Sequence, residues 1–221
     1  LHQILGTDNP LSMEDHIRIQ LDAYSLAAER DIPAFQGWVS DDADIEWARG
    51  LIAEWDATLT RESTAAALYV RWQEEVDETV QNLEISVTER QTLVEQGLES
   101  AIERLTAELG PNRDNWRHGR VHASKLPHIM TPAFDLPTVE RPGGFGSINA
   151  TGANFRRIIN FADLDLSIAS NSPGQSAQPG SSFYDNLVDN LGNGEYFPLL
   201  YTRDAVEERE AHRLILQPVT Q

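Results

Sequence analysis

Apolar residues recur at helical spacing through the first half of the chain and lose that rhythm after Pro111. Met13, Ile17, Leu21, Tyr24 and Ala28 form one stripe behind Ser12 and Asp15, whose spacing is that of a capping box. Pro33 ends that pattern, so one helix is expected to fill the stretch before it. A second is expected from about Asp42 to Asp56, with Ile45, Ala48, Leu51, Ile52 and Trp55 on one face. Thr60 or Ser63 can cap a third, along which Leu68, Tyr69, Trp72, Val76 and Val80 line up. Thr88 can cap a fourth, with Val94, Leu98, Ala101, Ile102, Leu105 and Leu109 as its stripe. Gly110 followed by Pro111 is a stop, a flexible residue past the helix end and then a breaker. Four such stripes predict a helical bundle.

Beyond Pro111, proline and glycine become frequent and strand-like runs replace the stripes. Gly146 to Ala150, Asn154 to Phe161, Leu166 to Ala169 and Arg213 to Leu216 are the strand candidates. Gly174 to Ser182 reads as a loop. Short helices are expected from Tyr184 to Leu191 and from Asp204 to His212, the latter capped by Thr202. The chain therefore divides at about residue 110 into a helical region (1–110) and an α+β region (111–221). No internal repeat is evident.

Charge narrows the partners. The net charge is −18, from 17 basic and 35 acidic residues, and Lys125 is the one lysine. Phosphate backbones and anionic lipid would be repelled, so neither nucleic acid nor a membrane surface is expected as a partner. No apolar run approaches the roughly 20 residues of a membrane span. Leu1 to Asn9 has neither a basic start nor an apolar core, so any export signal is expected outside this segment. The absence of cysteine excludes disulfides, thiol nucleophiles and thiolate metal sites.

Candidate chemistry is sparse. His118 and His122 lie four apart, as two ligands on one helix face would, but Gly119 follows where a zinc-protease motif needs Glu. They read as structural or surface histidines. Asp41, Asp42 and Asp44 lack the glycine and distal Glu of a calcium loop and read as an acidic helix N-terminus. Gly143-Gly144-Phe145-Gly146 has no following Lys-Ser/Thr pair, so it reads as a turn rather than a phosphate loop. Pro173-Gly174-Gln175-Ser176 is not a nucleophile elbow, because residue 178 is Gln. Asp163 and Asp165 occur in a polar stretch and do not read as an acid–base pair. Trp55, Trp72 and Trp116 stand where core packing outweighs ligand stacking.

The order of elements supplies what the motifs do not. Trp116-Arg117-His118-Gly119-Arg120-Val121-His122 precedes Arg141-Pro142-Gly143-Gly144 and Ser147-Ile148-Asn149-Ala150. Gly152-Ala153-Asn154-Phe155-Arg156, Pro173-Gly174-Gln175-Ser176 and Ser181-Ser182-Phe183-Tyr184-Asp185 follow. Glu195-Tyr196-Phe197-Pro198-Leu199 and Leu214-Ile215-Leu216-Gln217-Pro218 close the series. This succession resembles the C-terminal end of the β chain in the penicillin amidase family, which holds penicillin, cephalosporin and acyl-homoserine-lactone acylases. Gln20-Leu21-Asp22 and Glu54-Trp55-Asp56 resemble elements of the same family. The resemblance spans nearly the whole chain and is loosest between about residues 74 and 93, where the family's connection is longer.

The resemblance implies an N-terminal-nucleophile hydrolase of linear amides, with a helical arm followed by part of an αββα sandwich. In that family a self-cleaved precursor exposes a Ser whose hydroxyl attacks the amide carbonyl while its own α-amino group acts as base. An Asn side chain and a backbone amide form the oxyanion hole, with an Arg nearby. Position 1 here is Leu, and the family's oxyanion Asn, Arg and calcium carboxylates are expected upstream of it. Accordingly no catalytic, cofactor-binding or metal-binding residue is expected within this chain, and Asn149, His122 and Gln175 are not put in those roles. No cofactor is expected. The implied partners are the α chain, the N-terminal part of the β chain and a small-molecule amide. The implied compartment is periplasmic or extracellular. The competing reading is a stand-alone acidic binding or scaffold module.

Overall fold

Ser12 opens the first helix as its spacing predicts. The computed structural model, which describes residues 6, 10–76, 85–149, 155–211 and 213–216, places a complete capping box at α1 (Met13–Gln20). The Ser12 hydroxyl accepts from the Asp15 amide at 3.1 Å, and the Asp15 carboxylate accepts from the Ser12 amide at 2.8 Å.

The single helix expected before Pro33 is in fact two. After α1 the chain runs extended, and α2 (Leu26–Asp31) starts afresh under Ser25, whose hydroxyl accepts from the Ala28 amide. Here the backbone bonds to a neighbouring segment instead of to itself. Tyr24 forms an antiparallel bridge with Thr58, Ser25 donates to Ala57 O, and Leu59 donates to Ala23 O. Those bonds satisfy main-chain groups that a continuous helix would have used.

α3 (Ala43–Ala53) is capped by Asp42, and α4 (Thr64–Glu75) by Ser63. α3 stops short of Asp56, and Leu51 points away from the core, 36 % exposed, so it is not part of the buried stripe. α5 (Val87–Leu109) begins under Ser86 rather than Thr88, because the Ser86 hydroxyl reaches the Glu89 amide. Gly110, at φ +85°, ends it where expected. Val80 lies outside the described residues.

The core forms where α3, α4 and α5 meet the 3₁₀ turn at Ile32–Phe35. Phe35, Ile52, Leu68, Tyr69, Trp72, Val94, Leu98 and Leu105 are all 2 % exposed or less. Each such side chain contributes about 1.5–3 kcal/mol by leaving water. Phe35 meets Trp72 edge-on with ring centroids 4.7 Å apart. Gly97 explains how α4 and α5 come so close: a Cβ there would stand 2.3 Å from Val76 Cγ2 and 2.8 Å from Trp72 Cδ1.

After α5 the elements shorten. A turn of helix, α6 (His118–Val121), leads into β1 (Ala123–Leu126), which pairs antiparallel with β2 (Leu136–Glu140), with an irregularity between Ser124 and Leu126. β3 (Arg156–Ile158), β4 (Ile168–Ser170) and β5 (Phe197–Pro198) form a second antiparallel sheet in that order. α7 (Val188–Asn193) and the Thr202-capped α8 (Arg203–Arg209) complete a mixed α+β architecture.

Several strand expectations change. Residues 145–149 form turns because the loop is held by bonds to helical segments, and Arg213–Leu216 is exposed without regular structure. The helix expected from Tyr184 begins only at Val188. Only the middle of 154–161 pairs, and Ala150 and Asn154 lie outside the described residues. No described helix is long and apolar enough to cross a membrane.

Candidate functional site

The densest buried polar chemistry lies where α6 and the loop at 141–149 press against the segments that flank α4. Main-chain bonds fix the contact. His118 donates to Ser63 O at 3.1 Å and Gly119 to Arg61 O at 2.8 Å. Gly143 donates to Leu59 O at 2.8 Å, Leu26 to Gly146 O at 3.1 Å, and Asn149 to Asp22 O at 2.8 Å. Two glycines make the approach possible. A Cβ on Gly119 would meet Glu140 and Arg61 at 3.0–3.1 Å, and one on Gly143, already at φ +79°, would stand 2.1 Å from Asn149 O.

Trp116 anchors the entry to α6. Its ring is 1 % exposed, lies 5.9 Å from Trp47, and donates through Nε1 to Gly110 O at 2.8 Å. His118 follows, 1 % exposed, with Nε2 2.7 Å from Gly143 O. A carbonyl can only accept, so Nε2 carries the proton in the neutral ring. Burial pushes the His118 pKa down to about 4, which keeps the ring uncharged at neutral pH. His122 stacks on it with centroids 5.4 Å apart. Burial lowers the His122 pKa too, and the Arg141 guanidinium lowers it further.

Arg141 is the unusual member. It is 2 % exposed, yet its guanidinium makes one bond, from Nη1 to Ser124 Oγ at 3.2 Å, and Nη2 has no partner. Burial and the neighbouring Arg156 charge both disfavour its ionised form. The adjacent carboxylate, Glu140, is turned to Arg117 at 2.7 Å and Arg120 at 3.7 Å. Arg156 is itself bonded to Asn149 Oδ1. Gln20 ties this region to the second sheet, donating to Arg157 O at 3.1 Å and accepting from Tyr196 Oη at 2.8 Å.

The seam's hydroxyls are engaged as well. Ser25 Oγ donates to Phe145 O at 2.9 Å while capping α2, and Ser147 Oγ donates to Gly144 O at 3.0 Å. Neither is aimed at an imidazole. His118 holds a backbone turn in place through Gly143 O, His122 stacks on it with both ring nitrogens unbonded, and among the described residues no group of three or more His, Asp or Glu is placed to hold a metal ion.

The remaining sequence candidates lie elsewhere. Asp42 caps α3 through Oδ1, and Asp44 pairs with Arg113 at 2.5 Å. Asp163 caps a 3₁₀ turn, and Asp165 accepts from Thr202 Oγ1, Thr202 N and Tyr201 N, with bonds from Thr202 first among those that hold its carboxyl below the usual range. Trp72 and Trp116 are in the core, and Trp55 packs beside it.

The Pro173–Ser176 segment wraps back on itself. Gln175 and Ser176 donate to Phe183 O, and a Cβ on Gly174 would stand 2.3 Å from that oxygen. With His128, Ile129, Met130, Phe134 and Tyr184 it borders an open, mostly apolar groove of about 870 Å³. Sequence reasoning missed Arg141 and Arg156, since nothing in Arg141-Pro142-Gly143-Gly144 announces a buried charge.

Comparison with known families gives a match to the model described as penicillin amidase, over residues 1–208. Comparison with curated proteins gives no match.

Proposed function

The chain belongs to the penicillin amidase family, and from that premise we propose that it is a scaffold portion of an amide hydrolase whose nucleophile is carried by polypeptide outside this segment. The substrate class is a linear amide, such as the acyl side chain of a β-lactam or an acyl-homoserine lactone. The nucleophile is an N-terminal Ser whose own amine takes its proton, with an Asn side chain and a backbone amide receiving the oxyanion. The helices up to residue 110 flank the substrate cleft, and the strands after about 145 extend one layer of the αββα core.

The family match over residues 1–208 carries this reading. Two features support it. The seam's serine hydroxyls and His118 Nε2 are bonded to backbone, as in a structural element. The second sheet has strands of two or three residues flanked by Phe155, Phe161 and Leu166, which are 54 %, 90 % and 60 % exposed. Sheets this small are marginal alone and gain from neighbouring strands and apolar cover.

Intact-mass spectrometry with N-terminal sequencing of the natively purified protein tests the proposal. A co-purifying polypeptide that begins with Ser, and amidase activity lost on replacing that Ser, is the expected result. A homogeneous preparation of this chain alone that hydrolyses amides would overturn it.

A further inference from the structure

We infer that Arg141 is the receptor for one carboxylate group that the described residues do not supply. A guanidinium taken out of water without a counter-charge is costly, and native proteins pair such groups or bond them fully. Arg141 is 2 % exposed, has a single bond to a neutral hydroxyl at 3.2 Å, and leaves Nη2 without a partner. No described carboxylate lies within ion-pair distance of it: Glu140, next in sequence, is held by Arg117 and Arg120. Its other neighbours strengthen the deficit, because Arg156 adds positive charge and His122 is kept neutral.

The chemistry of the guanidinium narrows the ligand. The two terminal nitrogens of a guanidinium bond both oxygens of a carboxylate side by side, which a spherical anion cannot match. Ser124 Oγ is the group to be displaced, and its long bond to Nη1 makes rotation away from the guanidinium easy. The carboxylate has two possible sources. One is a small free carboxylate in solution. The other is an Asp or Glu side chain of the companion polypeptide, and this source alone rests on the function proposed above.

The test is a thermal-unfolding titration of the full chain with sodium acetate against sodium chloride at equal ionic strength. It is run on the natural sequence and on Arg141→Met, and repeated with the companion polypeptide bound. If the carboxylate is free, acetate and not chloride raises the melting temperature saturably, by about 2–4 °C, and Arg141→Met abolishes the rise. If it belongs to the companion, acetate does nothing, while Arg141→Met weakens the companion's binding tenfold or more without lowering the melting temperature of the chain alone. In both cases Arg141→Met melts at or above the natural chain, because it removes an unpaired buried charge. No acetate effect together with no specific loss of companion binding, whatever the variant's melting temperature, would show Arg141 to be an ordinary packing residue and overturn the inference. Should no companion exist, the acetate arm still decides. Should Arg141→Met fail to fold, Arg141→Lys is read in the same titration. Its point-like charge cannot bond both oxygens, so a tenfold weaker acetate midpoint is expected, and an unchanged response in both arms overturns the inference.

Discussion

Trp72 stands among Phe35, Tyr69 and Val94 with 2 % of its surface exposed, while Phe161 in the second half is 90 % exposed. The contrast runs through both regions. Between Ala43 and Trp116 the large side chains interlock in one apolar cluster, and Arg71 and Arg104 lace α4 to α5 through Glu74, Glu75 and Glu108. Beyond Ala123 the strands have two to five residues, and the region meets the helical body through main-chain bonds, close glycines and a few side-chain bonds at Ser25 and Gln20. A helix satisfies its backbone internally and needs only one buried face. A strand needs a partner for its backbone as well. The first region therefore carries its own stability, and the second takes its shape from what it leans on.

The largest test of that contrast is Trp72→Ala. Removing the ring from between α4 and α5 should cost about 3–5 kcal/mol in urea unfolding. Because the second region hangs on segments beside α4, its tertiary signals should disappear in the same transition. Two separated transitions would break the comparison.

Acid should act at the junction. The His118 pKa lies near 4 in the folded chain against an ordinary 6.5. The folded state thus holds the neutral ring, and its stability is complete above pH 6.5 and drains away as pH falls toward 4. The loss from this group is about 3 kcal/mol. Melting temperature against pH should show the decline, and His118→Gln, which keeps a donor for Gly143 O, should remove this part of it.

Gly143→Ala sharpens the contrast by striking one side. Its positive φ and its contact with Asn149 O should cost about 2–3 kcal/mol. In hydrogen exchange, protection should fall at Gly144 and Asn149 and persist along α4 and α5. Ser86→Ala removes the cap of α5 and should cost about 1 kcal/mol, with no change in the sheets. Smallest of all, Arg203→Ala on the exposed α8 breaks an ion pair to Glu207 and should change stability by less than about 0.5 kcal/mol.

The parts legible in the sequence are those set by local rules. Ser12, Asp42, Ser63 and Thr202 cap helices from within three residues and Gly110 ends α5, so spacing finds Ser12, Thr202 and Gly110 outright, narrows the third cap to Thr60 or Ser63, and marks Asp42 only as a helix start. The break at residues 21–25 was not legible, because Leu21, Tyr24 and Ala28 keep helical spacing while the backbone is bonded to Ala57 and Leu59, more than 30 positions away. β1, β2 and β5 escaped for a related reason. Ala123-Ser124-Lys125-Leu126 has little strand character, and Phe197-Pro198 is too short to show any period. The family was legible from the order of its elements, whereas Arg141 is buried beside Ser124, His122 and Arg156, whose proximity no local pattern announces.

The seam beside α4 has a consequence for sequence change over time. Its bonds from His118, Gly119, Gly143 and Asn149 run from main-chain amides to main-chain carbonyls, and such bonds do not read the identity of the side chain. The contact itself tolerates drift at Arg61 and Asp22, whereas Ser63 and Leu59 are held by other duties, capping α4 and filling the core. Drift is closed where a single added carbon collides with a backbone carbonyl, at Gly143 in the seam and at Gly174 in the loop beyond it. Relatives that have diverged beyond recognition elsewhere should still keep glycine at these two places, as fixed marks along an otherwise rewritten surface.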